Sequence, residues 1–143
     1  MGDLRLGERV PSDTALLTHL EDAGCAQWRP VERFTYPDEG RAFNVFTRDE
    51  RDDGAIVMIS INSPEIPTKS GTRVGDTEQS LLERYPDIGK PVSPPDGGTI
   101  YVIKGNAGKV LFVVYDGAVV SLQLVPISAP VPYDGEGTNC GGA

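Results

Sequence analysis

Two cysteines, one histidine and no run of basic residues are all that this 143-residue chain offers to the chemistries that depend on them. A structural zinc site takes four Cys or His ligands, and Cys25, Cys140 and His19 are too few and too scattered to supply them. Lys and Arg total 13 against 21 Asp and Glu, a net charge of −8, with the cations placed singly along the chain. Nucleic-acid binding draws most of its affinity from neutralised phosphates, so this balance excludes it, and it disfavours an anionic membrane surface equally. No window approaches the roughly 18 apolar residues that a membrane-spanning helix needs. Neither a G-x-G-x-x-G nor a GK[ST] element is present, which removes the usual phosphate-cradling loops. Aromatics are sparse at 7%, and the hydrophobic share of 38% is lean without being that of a disordered chain.

Glycine and proline are plentiful instead: 17 and 12 residues, about a fifth of the chain, which favours short elements joined by turns. Within that punctuation a pattern recurs. "DGAIVMISI" (53–61) matches "DGAVVSLQL" (116–124) at an offset of 63 residues (53 to 116). Ala55, Val57, Ile59 and Ile61 then correspond to Ala118, Val120, Leu122 and Leu124, the period-2 alternation of a half-buried strand. Upstream, "LGERVPSDTALLTHLEDAG" (6–24) answers to "VGDTEQSLLERYPDIG" (74–89), with Leu16-Leu17 on Leu81-Leu82 at an offset of 65 (16 to 81). Each half also holds two more strand-like runs, 28–36 and 41–47 in the first, 98–104 and 109–115 in the second.

The expected fold is α+β. Two tandem helix-plus-β-meander repeats, about 4–63 and 72–126, form one curved antiparallel sheet with helices packed on one face, within a single domain spanning 1–143. A linker covers 64–71 and a Pro-rich then Gly-rich tail covers 127–143. Ser12 and Thr77 are the expected helix N-caps, each followed by an acid that matches the positive helix end. Pro86 stops the second helix. These assignments make the glycines of "SGTRVGDTEQSLLERYPDIGK" (70–90) the boundaries of a repeat rather than a ligand loop.

Cys25 follows the end of the first expected helix and Cys140 lies in the tail. A disulfide between them closes a loop of roughly 100 residues, for which chain entropy allows up to about 4.7 kcal/mol of stabilisation. Such a bridge implies an oxidising, extracytoplasmic location, secreted or cell-envelope. No signal peptide precedes "GDLRLGERV", and a Met-Gly start directly before domain-like sequence fits a mature fragment as well as a native beginning.

Gly7, Ser12 and Leu16 in the first half, and "TKSGTRVGDT" (68–77), Leu81, Tyr85-Pro86 and "DGAVVSL" (116–122) in the second, carry a resemblance. The chain resembles exported actinobacterial proteins of unknown role, and it is similar to the BamE/SmpA lipoprotein fold and to the tandem-repeat β-lactamase inhibitor proteins. The resemblance implies an exported protein with helices on one face of an antiparallel sheet, the other face left for a partner, and no catalysis. The repeat is shorter than in the inhibitors, and one candidate disulfide replaces one per half, so no inhibitory contact residue carries over.

Three candidate chemistries have weaker grounds than their plain readings. "RDERDDG" (48–54) has the acids of a calcium loop, but counted from Asp49 the third position is Arg51 and the twelfth is Ser60, so it reads as an acidic hairpin turn. His19 has no nucleophile in a strand–turn–helix elbow and reads as a helix-surface residue. Carboxylate pairs are unavoidable among 21 acids, and those at Asp13, Glu21, Asp22, Glu78 and Glu83 read as helix-end and solvated positions.

The functional reading is a non-enzymatic extracytoplasmic binding or accessory domain, with an inhibitor among the roles it accommodates. It is expected to bind a protein partner through the open sheet face, which alternation assigns to Met58, Ser60, Val119, Ser121 and Gln123. No cofactor, metal or catalytic residue is expected. The alternative is a small-ligand carrier or hydrolase with a pocket between the sheet and the C-terminal tail. A structural domain of a larger envelope protein is a third reading.

Overall fold

The structure is a computed structural model that describes residues 4–19, 28–30, 43–48, 54–95, 97–106 and 108–128. Its centre is one open antiparallel sheet. β1 (Leu17–His19) and β2 (Trp28–Pro30) are three residues each and extend one edge. The body consists of β3 (Phe43–Thr47), β4 (Ile56–Ile61), β5 (Thr99–Lys104), β6 (Lys109–Tyr115) and β7 (Ala118–Val125). In space the order is β1-β2-β3-β4-β7-β6-β5, so two meanders meet along the β4–β7 seam. The fold class is α+β, with one helix among the described residues, α1 (Glu78–Arg84).

Both hairpins next to the seam carry the same irregularity. In the β3–β4 pair, Phe46 opposes Met58 and Thr47 opposes Ile56, leaving Val57 as an extra residue. In the β6–β7 pair, Val113 opposes Ser121 and Val114 opposes Val119, leaving Val120 extra. Val57 and Val120 correspond at the offset of 63 residues (57 to 120). A bulge reverses the alternation beyond it. Ile56 and Val119 therefore face the helix side beside Ile59, Ile61 and Leu122, where strict alternation would have placed Val57 and Val120.

The segments that lead into the two hairpins match as well. Gly7 N–H donates to the Ile56 carbonyl (2.8 Å) and Ile56 N–H to the Glu8 carbonyl (2.8 Å). Gly75 N–H donates to the Val119 carbonyl (2.7 Å) and Val119 N–H to the Asp76 carbonyl (2.8 Å). Arg9 bridges Ala55 as Thr77 bridges Ala118. Gly7 and Gly75 both hold the left-handed backbone that this entry requires, with φ of 83° and 97°.

After these entries the halves diverge, and the first expected helix is corrected. Thr77 caps α1 by accepting the Ser80 N–H at 3.0 Å. The first-half residue in the place of Thr77 is Arg9, whose side chain has no acceptor. Ser12 lies in an exposed turn and begins no helix, and residues 17–19 are extended and pair with β2. Residues 20–24, the rest of that expected helix, lie outside the described residues.

The helix face holds the main core. Leu81, the one buried residue of α1, belongs to the same core cluster as Phe43, Val45, Phe112 and Leu122 of the sheet and Leu4 and Val10 of the N-terminal segment. The Tyr85 ring tilts over Phe112 with centroids 5.6 Å apart. A polar network fastens the connection between the halves. Arg84 reaches Thr72 Oγ1 (3.0 Å) and the Asp76 carboxylate (3.2 Å), and the Ser70 and Tyr85 hydroxyls hydrogen-bond to each other. The β6–β7 turn is Asp116-Gly117 with φ of 50° and 75°, positive at both central residues as the two-residue hairpin turn that matches strand twist demands.

Candidate functional site

The sheet face away from α1 carries a second apolar cluster. Met58, Ile100, Leu111, Val113 and Val125 are buried in it, with Phe46, Val92, Val102 and Tyr115 partly buried against them. Of these described residues only Val92 lies outside a strand, and it bridges Ile100 at the sheet edge. α1 and the N-terminal segment all pack on the opposite side.

Met58, Ser60, Ser121 and Gln123 share this far face. Ser60 and Ser121 bring their hydroxyls to 3.5 Å across the seam, and Gln123 Oε1 is buried without a hydrogen-bond partner. Met58 is 9% exposed, so it belongs to the cluster rather than to open surface. Val119 does not belong to this face: the bulge at Val120 turns it to the helix side, where it is 1% exposed. Val120 itself is 42% exposed. Cys25 and Cys140 lie outside the described residues, as does most of the acidic turn at 48–54. Among the described residues no cluster of three His, Cys, Asp or Glu side chains is placed to hold a metal, and no helix is long and apolar enough to cross a membrane.

A cleft of about 460 Å³ opens at one end of the helix face. Its floor is Ile59, Val110 and Leu124 from three adjacent strands. One wall is the N-terminal segment with Leu4, Arg5, Leu6 and Glu8, a second is the β5–β6 turn with Gly105 and Gly108, and Lys69 closes the rim. The Arg5–Glu8 turn is held by Glu8 N–H donating to the Arg5 carbonyl (3.2 Å). Glu8 is the one carboxylate in this lining, which holds no Ser, Cys or His.

Sequence reasoning missed this cleft because its residues come from five separated segments with no common motif. One signal was available. In the paired hairpins Val110 opposes Leu124 as Phe43 opposes Ile61, so a valine stands where the first half has a phenylalanine.

The buried Tyr101 hydroxyl donates to Glu78 Oε2 at 3.0 Å, tying β5 to the first turn of α1. Burial first, and then the hydrogen bond and charge of Glu78, raise the Tyr101 phenol above its ordinary value of 10.0.

In comparisons with protein-family models, curated proteins and solved structures, no match to this chain is found.

Proposed function

We propose that the chain is a non-enzymatic binding or accessory domain that engages a protein partner through the sheet face away from α1. The observation that carries this reading is the distribution of covering elements. The sheet is apolar on both sides; among the described residues α1 and the N-terminal segment cover one, and outside the strands only Val92, at the sheet edge, packs on the other. Phe46, Val102 and Tyr115 are the partly buried residues through which such a face would be approached. The test is a Val102→Glu bait with an unchanged thermal melt, used against culture and envelope fractions. Capture that the wild type shows and the variant loses supports the face; equal capture by both overturns it.

The tandem-repeat reading belongs to this proposal. Its support is the shared entry hydrogen bonds, the shared bulges and the seam register. The likeness to BamE/SmpA-like repeats is part of the same proposal. The extracytoplasmic location rests on a Cys25–Cys140 bridge. Intact mass with and without reductant decides it, since two free thiols in native protein would remove the argument for export.

The cleft favours a second reading, a small-ligand carrier. Its volume falls in the range of roughly 300–1,000 Å³ usual for small-molecule sites. The cleft lies against the N-terminal segment, whereas the sequence reading placed a pocket at the C-terminal tail.

A further inference from the structure

We infer that the cleft at the N-terminal segment is a binding site for a small anionic amphiphile, a single alkyl chain ending in a carboxylate or similar anion. The inference rests on the small-ligand reading and adds the ligand's chemistry to it. The floor is aliphatic and incompletely covered: Val110 and Leu124, with Leu6 of the wall beside them, are only partly buried, whereas Ile59 and most other positions of that sheet face are sealed. The reason is local. Phe43 and Ile61, which occupy the corresponding places in the other hairpin, are buried, and Val110 is smaller than Phe43. The volume that a phenylalanine ring would take is left open, and an alkyl chain fills such a space with the contacts the floor lacks.

The rim supplies the sign. The chain as a whole carries −8, yet the exposed charged residues of the lining are Arg5 and Lys69 against Glu8 alone. Arg5 and Lys69 are exposed at the mouth, so a bound anion keeps its head group in partial contact with water while its chain enters the floor. Gly108 sets the wall. A Cβ there would stand 2.7 Å from the Val125 carbonyl oxygen and 2.9 Å from Leu6 Cδ1, so any side chain would displace Leu6 from its place beside the turn.

The test is amide NMR of the full chain titrated with octanoate, with 1-octanol and octyltrimethylammonium as head-group controls. Octanoate should give saturable shifts at Leu6, Gly105 and Gly108, and 1-octanol should bind about tenfold more weakly, the equivalent of about 1.4 kcal/mol. The exposed double reversal Arg5→Glu/Lys69→Glu should weaken octanoate by at least about tenfold and leave 1-octanol unchanged. Val110→Phe should abolish both titrations in a protein with native amide dispersion. Where that variant disturbs the strand, the surface reversal decides alone. Binding of 1-octanol as tight as octanoate overturns the anion assignment and leaves the carrier reading standing. If no probe moves these amides, or if the shifts fall elsewhere, both fail.

Discussion

Ser60 and Gln123 stand opposite one another where β4 meets β7, and the pairing around them reads alike from either strand. Ile59 lies opposite Leu124, and Ile61 lies opposite Leu122. At the offset of 63 residues (59 to 122) Ile59 corresponds to Leu122 and Ile61 to Leu124, so exchanging the two strands maps the seam onto itself. Each hairpin alone would leave an unpaired strand edge. Placed edge to edge in this register, the two share one ladder and one helix-side core.

The seam makes equal demands on its corresponding residues. Ile59 and Leu122 are both fully buried on the helix face. Ile59→Ala and Leu122→Ala should each cost about 2–5 kcal/mol, since both delete aliphatic volume from a site that cannot collapse. Urea unfolding at a constant m-value measures the two. A loss confined to Leu122→Ala would mean that the first hairpin contributes little to the cooperative unit.

The β-strand content was legible because alternation is dense in 53–61 and 109–124 and because Asp-Gly marks the last turn. The facing of individual side chains was not. Nothing in "GAVVSL" announces that Val120 is the extra residue of a bulge, since Ala118 to Ser121 are all small or β-branched and any of them fits a pleat. Thr77 was readable as a cap because acceptor, acid and leucines follow in helical spacing, and the same pattern at Ser12 misled. The entry segment is anchored by Gly7 and Glu8, which puts Arg9 rather than Ser12 at the cap position. The cleft left only a faint trace in the sequence, a size difference between Val110 and Phe43 that takes on meaning once the two hairpins are aligned.

Thr77 and Ser12 separate the two caps experimentally. Thr77→Ala removes the acceptor for the Ser80 N–H and should destabilise the protein by about 1 kcal/mol. Ser12→Ala, in an exposed turn, should stay within about 0.5 kcal/mol of wild type. Denaturant midpoints compare them directly. A Ser12→Ala cost equal to that of Thr77→Ala would restore a cap in the first half.

Val119 and Val120 are adjacent valines that the bulge assigns to opposite environments. Val119→Ala should cost about 1.5–3 kcal/mol because it opens space in the helix-side core that also holds Leu81 and Phe112. Val120→Ala, at an exposed position, should change stability by no more than about 0.5 kcal/mol. The strict alternation of the sequence predicts the reverse order, so thermal melts of the two variants decide between a bulged and a regular β7.

Tyr101 gives the protein a defined response to alkali. Its phenol is raised in the folded chain, chiefly by burial and then by Glu78, so between the ordinary value of 10.0 and the raised one the folded state holds a proton that the unfolded state has lost. The contribution to stability is therefore complete below pH 10.0 and is lost as pH rises through the raised folded value. Tyr101→Phe should flatten this part of the alkaline decline. At neutral pH the same substitution removes the bond to Glu78, for about 0.5–1.5 kcal/mol. Glu78→Gln keeps a partner for the hydroxyl but removes the carboxylate charge, so its alkaline decline should be shallower than wild type and steeper than Tyr101→Phe. Unfolding free energies from pH 8 to 11 distinguish the three. Parallel wild-type and Tyr101→Phe curves above pH 10 would mean that the phenol ionises equally in both states, and burial would no longer explain the packing of β5 against α1.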